Sequence, residues 1–206
     1  MTSSEIYDKV SAFAGMPVTI ICDLHSACSP AKRKSYLCLS AGSKTKVVDF
    51  DKVKTQADIA KGLKARKSVD ALTVSPSKRF LCFIELKSWE LLLTYSGTED
   101  SIRRQVAGYS SDLPLKLDYS IQICKEITGI PDTFSDCEIL YILLTDISVA
   151  DNGIMAFNSD LTALAGTSSK LKQLCNSLSQ GVMSGISTVE TRYWECRNLD
   201  SNMANI

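Results

Sequence analysis

Two carboxylates and one amine occupy positions in this sequence where apolar residues would be expected. Residues 80–86 are almost wholly apolar, which is typical of a strand buried on both faces, but Glu85 lies inside that run and Lys87 follows it. Because Glu85 and Lys87 are two positions apart, a strand places both side chains on the same face. Charges there are costly unless they have a partner or a function, so the pattern predicts a site.

A third charged residue, Asp70, is expected to face Glu85 across a β-hairpin. Apolar runs on either side of a polar segment predict two antiparallel strands joined by a turn. If the turn is centred between Ser77 and Lys78, Asp70 lies directly opposite Glu85, with their Cβ atoms about 4.5–5.5 Å apart. Two carboxylates that close repel each other and need a cation. The simplest solution is a divalent metal ion held by both, with the Lys87 ammonium beside it.

Helices and strands that alternate along the chain must position these side chains. The helix after the hairpin is predicted to begin at a Thr98 cap followed by two acidic residues. Pro114 is expected to break or kink it, and the next helix is expected to end at Gly129. The order of elements predicts one α/β or α+β domain over residues 1–206. The periodicity predicts helices over 3–14, 53–63, 98–113, 117–128 and 161–178, and strands over 17–23, 36–40, 137–145, 154–157 and 188–197 besides the hairpin.

The bulk composition is that of an ordinary globular protein. The chain has 206 residues, of which 45% are hydrophobic and 22% are charged, so one domain with a substantial core is expected. No apolar run reaches the length of a membrane span, and the N-terminus lacks the basic and apolar regions of a signal peptide. We therefore expect a cytoplasmic protein without a membrane partner, and we interpret its eight scattered cysteines as reduced thiols.

The charges are balanced overall but unevenly distributed. Residues 1–104 carry 17 Lys and Arg against 11 Asp and Glu, whereas residues 105–206 carry 6 against 12. Within residues 31–79 the counts are 13 against 4. Because the basic half contains the predicted hairpin, a cationic surface around a metal site would suit a substrate with a phosphate backbone. A basic face that is merely solvated is the alternative.

An acidic residue, a gap of fourteen residues and then Glu-x-Lys on a buried strand resemble the motif of the PD-(D/E)xK, or restriction-endonuclease-like, nuclease superfamily. The three positions here are Asp70, Glu85 and Lys87. Gln105 and Tyr109, on the next predicted helix, resemble the QxxxY motif of the RecB-like and lambda-exonuclease-like branch. One helical turn separates them, so they share a face.

The resemblance covers roughly residues 50–145 and implies both a fold and an activity. The fold would be a restriction-endonuclease-like core, in which a central mixed β-sheet with a β-hairpin is flanked by helices. The activity would be Mg²⁺- or Mn²⁺-dependent hydrolysis of phosphodiester bonds. The partner would be nucleic acid, with DNA as the expected substrate and RNA as the alternative. Endonuclease or exonuclease action, sequence preference and oligomeric state stay open.

The resemblance also implies a role for each residue of the site. Asp70, Glu85 and the carbonyl oxygen of Leu86 would hold the metal ion. Lys87 would position or deprotonate the attacking water, or stabilise the charge of the transition state. The other expected site residues are Gln105 and Tyr109, which would orient the lysine or contact the phosphate backbone, and the backbone-binding candidates Lys78, Arg79, Arg103 and Arg104.

A further metal ligand from an upstream helix is common in the family, and the sequence leaves its identity open. The candidates are Glu5, His25, Asp51 and Asp58. A second departure is Val69, which stands where the name of the motif has proline. The second metal position is therefore not assigned to any residue.

Three other interpretations of these residues stay open. The charges of the hairpin could form a structural ion pair, or the fold could be a catalytically inactive module for nucleic-acid binding or assembly. Cys22, His25, Cys28 and Cys38 could instead bind zinc in an interaction protein, although their spacing is unusual. Trp89 is interpreted as a packing residue rather than as a platform for stacked bases.

Overall fold

A six-stranded mixed β-sheet flanked by helices forms the centre of the computed structural model, which describes residues 1–15, 18–24, 43–96, 98–149 and 167–206. The strands are β1 (Thr19–Ile20), β2 (Lys46–Asp49), β3 (Ala71–Val74), β4 (Phe80–Lys87), β5 (Glu138–Thr145) and β6 (Glu190–Glu195). They lie in the sheet in chain order. Neighbours from β1 to β4 are antiparallel, whereas β4, β5 and β6 are parallel. The predicted mixture of helices with a mixed sheet is confirmed.

The helices begin and end at residues suited to those positions. They are α1 (Ser3–Ala14), α2 (Phe50–Lys61), α3 (Trp89–Ser96), α4 (Glu99–Thr128), α5 (Thr167–Ser184) and α6 (Leu199–Met203). The Thr98 hydroxyl caps α4, as predicted. Gly62 and Gly129 close α2 and α4 at φ angles of 62° and 70°, which favour glycine. None of these helices is long and apolar enough to cross a membrane.

Alternation along β4 divides the hydrophobic core into two layers. Leu81 and Phe83 lie in one layer with residues of α1, α2 and α4, whereas Cys82 and Ile84 lie in the other layer with residues of α6. Every residue of β4 except Lys87 is buried, so the prediction of a strand buried on both faces is confirmed. Glu85 and Lys87 fall on the same side of the strand as Leu81 and Phe83, and therefore face α4.

The hairpin between β3 and β4 has the predicted register. Ala71 pairs with Ile84 and Val74 with Leu81, and Asp70 directly precedes this paired segment. The Asp70 N–H donates at 3.0 Å to the carbonyl of Ile84, which is also the partner of Ala71, so two residues face one at this end of the hairpin, as in a β-bulge. In the turn, Lys78 adopts a left-handed φ of 62°. The turn therefore sets the register that brings Asp70 to the same end of the hairpin as Glu85.

Helix α4 corrects one prediction, because Pro114 does not end it. The helix is continuous over 30 residues from Glu99 to Thr128. Proline removes one backbone hydrogen bond and strains the preceding turn, which favours a break in an isolated helix. Here Leu113 and Leu117 are buried against the sheet, and the Tyr141 hydroxyl donates to the Leu113 carbonyl at 3.3 Å. Tertiary packing therefore holds the two predicted segments together as one helix.

Several predicted boundaries were wrong near the start of the chain and at the hairpin's flanks. The strand expected over 17–23 is only Thr19–Ile20, followed by a 3₁₀ turn that buries Ile21. Helix α2 begins at Phe50 rather than 53, since the Asp49 side chain caps it. Helix α3 was not predicted. The strands predicted over 36–40 and 154–157 lie outside the described residues.

The C-terminal elements also differ from the prediction. Helix α5 is described from residue 167 and extends to Ser184, beyond the predicted end at 178, because Met183 is still buried. Strand β6 stops at Glu195, two residues early. The final segment, for which no element is predicted, forms α6, whose Leu199 and Met203 lie one turn apart and pack on the sheet.

The cysteines only partly follow the prediction of reduced thiols. Cys82, Cys124 and Cys175 are buried thiols that fill core space. Burial raises the pKa of Cys82 to about 12, so its thiol is unreactive at neutral pH. Cys196, however, is disulfide-bonded, and for this residue the prediction was wrong.

Candidate active site

The three charged residues singled out from the sequence meet at the edge of the sheet where β4 and β5 end. Asp70 directly precedes β3. The last three residues of β4 are Glu85, Leu86 and Lys87. The hairpin brings Asp70 close enough to Glu85 that the charge of Glu85 contributes to raising the pKa of Asp70. In a sheet with parallel strands, the crevice beyond their carboxyl ends is the usual place for a ligand.

Glu85 is the centre of this cluster. It is fully buried, and its Oε1 atom accepts hydrogen bonds from Lys87 Nζ and Lys116 Nζ, each at 2.6 Å. Its Oε2 atom has no hydrogen-bond partner among the residues that the structure describes. A buried acceptor without a partner costs about 1–3 kcal/mol, and more when it is charged. Oε2 is therefore an oxygen that a cation would stabilise.

Asp70 is the second carboxylate, and its charge is poorly compensated. Its Oδ2 atom accepts the backbone N–H of Leu86 at 2.7 Å. Burial, followed by the negative charge of Glu85, raises the pKa of Asp70 to about 7, although Lys116, the Leu86 N–H and Lys87 act in the opposite direction. Two carboxylates on one face thus stay short of positive charge even with two lysines nearby.

Lys87 is held between Glu85 and an aromatic wall. Its Nζ atom lies 4.9 Å from the centre of the Tyr109 ring, in a cation–π contact. Burial lowers the pKa of Lys87, but the charge of Glu85 and their hydrogen bond outweigh it and the pKa is raised, so the side chain is an ammonium. The Tyr109 ring in turn lies 5.5 Å from the Trp89 ring, centre to centre. Trp89 is buried and donates from Nε1 to the Tyr193 hydroxyl at 3.1 Å, so it packs as predicted.

Helix α4 supplies the other wall of the site. Tyr109 and Lys116 are seven residues apart, or two helical turns, and both reach the end of β4. Asp112, between them, forms an ion pair with Lys67. Gln105 lies one turn before Tyr109 and is exposed, so it borders this wall rather than joining the buried carboxylates.

Lys116 is a site residue that the sequence reasoning missed. Its spacing of seven from Tyr109 was the available signal, because it repeats the helical face of the QxxxY pattern once more. The predicted break at Pro114 concealed it, since a broken helix would not carry position 116 to the same face. The continuous α4 makes the spacing meaningful.

The four basic residues expected to bind the phosphate backbone lie away from the carboxylates or are already paired. Lys78 and Arg79 lie in the hairpin turn, roughly 20 Å along β4 from Glu85 at about 3.3 Å per residue. Arg79 also pairs with Glu138 through two contacts of 2.8 Å. On α4, Arg103 pairs with Glu99 at 2.6 Å, and Arg104 donates to the carbonyl of Asp100 at 3.4 Å.

The candidates for an upstream metal ligand do not join the cluster. Glu5 caps its own helix, accepting from the Thr2 N–H at 2.8 Å. Asp51 accepts from Ser68 at 2.9 Å, and Asp58 is bonded to Arg66 at 2.6 Å. His25 lies outside the described residues, and so do Cys28 and Cys38, the other two residues of the alternative zinc site beyond Cys22. Within the described ranges, no group of three or more acidic, histidine or cysteine side chains is suited to hold a metal.

An ion-pair network fixes the segment that leads into Asp70. Arg66 donates from its backbone N–H and Nε to Asp58 at 2.9 and 2.6 Å, and from its two terminal nitrogens to Glu126 at 3.0 Å each. Three residues later, the Val69 N–H donates to the Ser120 hydroxyl at 3.1 Å. These contacts tie the segment to α2 and α4, so the position of Asp70 relative to α4 is well defined.

Asp146 is a second residue that the sequence reasoning missed. It directly follows β5, and its carboxylate accepts the backbone N–H groups of Trp89 at 2.7 Å and Glu90 at 3.1 Å. It therefore caps α3, the helix that begins two residues after Lys87. Burial raises the pKa of Asp146, although these hydrogen bonds oppose the shift.

No protein-family model, curated protein or solved structure matches this chain. The function proposed below is therefore inferred from the geometry and chemistry of the cluster around Glu85.

Proposed function

We propose that this protein is a metal-dependent nuclease with a restriction-endonuclease-like core, which hydrolyses phosphodiester bonds in DNA, with RNA as the alternative substrate. The observation that carries the proposal is the proximity of the Asp70 and Glu85 carboxylates, whose repulsion contributes to the raised pKa of Asp70, with Glu85 Oε2 buried and without a partner among the described residues. Lys87 completes the cluster at 2.6 Å from Glu85.

The arrangement of elements supports the proposed core. Strands β2, β3 and β4 form an antiparallel meander, α4 follows, and β5 returns parallel to β4. The acid at the start of β3 and the Glu-x-Lys at the end of β4 therefore lie at one edge of the sheet. That edge is lined on one side by α4, whose Tyr109 contacts the lysine.

The donor set suits Mg²⁺ or Mn²⁺. Both ions prefer hard oxygen ligands, and Asp70 and Glu85 supply two carboxylates, with the Leu86 carbonyl oxygen as the expected further ligand. The unpartnered Oε2 atom and the raised pKa of Asp70 both indicate carboxylates that lack positive charge. The bound ion would supply a Lewis acid that activates water and neutralises charge on the scissile phosphate.

The chain's own residues would do the rest. Hydrolysis forms a P–O bond to water and breaks a P–O bond to one sugar oxygen, which leaves with a proton. Lys87, as an ammonium held by Glu85 and the Tyr109 ring, would donate hydrogen bonds to the phosphate oxygens as their charge increases. Tyr109 would position this ammonium, and Gln105, exposed one turn away, would contact the backbone of the nucleic acid.

Cleavage assays with matched variants test the proposal. Plasmid DNA, single-stranded DNA and RNA are incubated with the protein and Mg²⁺ or Mn²⁺. Asp70→Asn, Glu85→Gln and Lys87→Met should each reduce cleavage at least about 100-fold, whereas the exposed Lys125→Met on α4 should cut like wild type. If wild type does not cut any substrate, or if the three variants cut normally, the assignment is wrong.

A catalytically inactive module of the same fold is the second candidate, and one observation favours it. Lys87 and Lys116 equal the two carboxylates in number, so the cluster has no net formal charge without a metal ion, although both lysines contact the same oxygen of Glu85. Calorimetric titration with Mn²⁺ separates the candidates. A nuclease should bind Mn²⁺ in wild type and lose that binding in Asp70→Asn, whereas an inactive module should show no Mn²⁺ binding that depends on Asp70.

A further inference from the structure

Lys116 is the member of the cluster that the proposed chemistry does not require. Its ammonium lies 2.6 Å from Glu85 Oε1, the same oxygen that accepts from Lys87. It comes from α4 and not from the hairpin, and only 17% of its side chain is exposed. Both ammonium groups therefore lie at Oε1 of Glu85, whereas Oε2 has no partner among the described residues.

We propose that Lys116 is an internal cation that occupies Glu85 in the metal-free protein and leaves it when a divalent ion binds. Lys116 would thereby set the metal affinity of the site, and this inference rests on the proposed metal site at Asp70 and Glu85. In the metal-free protein the lysine stabilises the buried carboxylates, and in the metal-bound protein the ion takes over that role.

The two lysines and a divalent ion cannot all stay at Glu85. Like charges a few ångströms apart in a partly buried site repel by several kcal/mol at an effective dielectric constant of about 20. Access gives a second reason. Glu85 is fully buried, while Lys87 and Lys116 are 19% and 17% exposed, so these two side chains separate its carboxylate from solvent. One of them must move before an ion reaches it.

The contacts indicate that Lys116 is the one that moves. Lys87 lies on the same strand as Glu85 and has a second favourable contact, the Tyr109 ring at 4.9 Å. Within the described part of the chain, the Lys116 ammonium forms its ion pair with Glu85 and has no contact that corresponds to the Tyr109 ring. Its long side chain extends from a neighbouring helix, so its ammonium can move without any change in the hairpin.

A new partner for the released ammonium is close by on the same helix. Asp112 lies four residues before Lys116, one helical turn away, and a lysine and an acid at that spacing can pair. Asp112 is partly exposed and already binds Lys67, so it marks the solvent side of this wall. The move would carry Lys116 from a buried carboxylate to one near the surface.

Calorimetric titration of the full chain with Mn²⁺ tests the inference. Lys116→Met should bind Mn²⁺ at least about tenfold more tightly than wild type, because the ion no longer displaces a competing charge. Lys116→Arg keeps the charge and should stay within about threefold of wild type, as should Lys125→Met, which removes a charge from the exposed side of α4. Unchanged or weaker binding by Lys116→Met would overturn the inference.

Thermal melting gives a readout that does not depend on activity. In the presence of a chelator, Lys116→Met should melt below wild type, because Glu85 loses one of its two ammonium partners. Saturating Mn²⁺ should raise its melting temperature more than that of wild type. An equal rise in both proteins would contradict the exchange of lysine for metal.

The outcomes also separate this inference from the proposed nuclease. If Lys116→Met binds Mn²⁺ more tightly but no substrate is cut, the exchange stands and the nuclease is wrong. If wild type cuts nucleic acid and its Mn²⁺ affinity equals that of Lys116→Met, only the exchange is wrong. If neither protein binds Mn²⁺, the exchange and the metal site both fail.

Discussion

Replacing Asp70 by asparagine should make the metal-free protein more stable at alkaline pH. The pKa of Asp70 is raised from its ordinary value of 3.8 to about 7, first by burial and then by the charge of Glu85. Below pH 4 the carboxyl is protonated in both folded and unfolded chains. Between pH 4 and 7 only the folded chain holds the proton, so stability falls as pH rises through this range and stays low above it.

The size of the effect follows from the pKa. A change of one in pKa corresponds to about 1.4 kcal/mol, so ionised Asp70 destabilises the fold by up to about 4 kcal/mol above pH 7. Asparagine carries no charge, and its side-chain oxygen can still accept the Leu86 N–H that Asp70 Oδ2 accepts at 2.7 Å. Because the amide fits less well between Glu85 and the lysines, we expect a gain of about 1–4 kcal/mol.

Urea denaturation in a chelating buffer at pH 5 and pH 8.5 measures this gain. The stability difference between Asp70→Asn and wild type should be about 2–3 kcal/mol greater at pH 8.5 than at pH 5, where part of the destabilisation by Asp70 is already present. Asp118→Asn, the same substitution on an exposed position of α4, should change stability by less than about 0.5 kcal/mol at both values. With saturating Mn²⁺ the order should reverse at pH 8.5, since only wild type keeps both carboxylates.

Two results would refute this reasoning. If Asp70→Asn is no more stable than wild type at pH 8.5, the Asp70 carboxylate is adequately compensated without a metal. If the gain is the same at pH 5, it does not come from the charge.

The other predictions concern the groups that position the site. Arg66→Met should lower the free energy of unfolding by about 3–5 kcal/mol, because its two carboxylate partners are left without it. Burial raises the pKa of Asp58 and Glu126, but the hydrogen bonds from Arg66 outweigh it, so the pKa of both acids is lowered. The loss of stability should therefore be greatest at neutral pH and should shrink as pH falls below about 4. The control is Arg192→Met, which removes an exposed ion pair and should cost less than about 1 kcal/mol. Tyr109→Leu should reduce cleavage about tenfold, mostly in kcat, because Lys87 loses the ring that holds it. Asp146→Ala should lower stability by about 1–2 kcal/mol through loss of the α3 cap, which denaturation measures.

The hairpin was predictable from sequence because its determinants are local. A polar turn between two apolar runs sets the register, and strand alternation then decides which side chains share a face. Asp70, Glu85 and Lys87 therefore came together as expected. Helix α3 was not predictable in this way, because its cap, Asp146, comes from the end of β5 and is distant in sequence.

Lys116 shows how one wrong boundary can conceal a site residue. The local chemistry of Pro114 favours the end of a helix, and that interpretation removes any fixed relation between Tyr109 and position 116. In the structure the helix continues because Leu113 and Leu117 are buried against the sheet. That burial depends on the fold as a whole, so no local pattern around the proline could have revealed it.

The excess of basic residues in the first half of the sequence does not by itself identify a partner. Several of its cations already pair with acidic residues of the same chain; for example, Arg66 bridges Asp58 and Glu126, and the exposed Lys67 binds Asp112. Pairs of this kind leave less positive charge for a phosphate backbone than the residue count indicates. Nucleic acid is therefore proposed as the substrate on the basis of the carboxylate pair and not of the net charge.

The distribution of the two lysines favours the proposed metal site over a purely structural ion cluster. A cluster that served stability alone would be expected to give each buried carboxylate its own ammonium, since an uncompensated charge costs several kcal/mol. Instead both lysines bind one oxygen of Glu85, its second oxygen has no partner in the described part of the chain, and Asp70 has a raised pKa. Both carboxylates therefore lack full compensation, which one divalent ion held by both would supply under the proposed function.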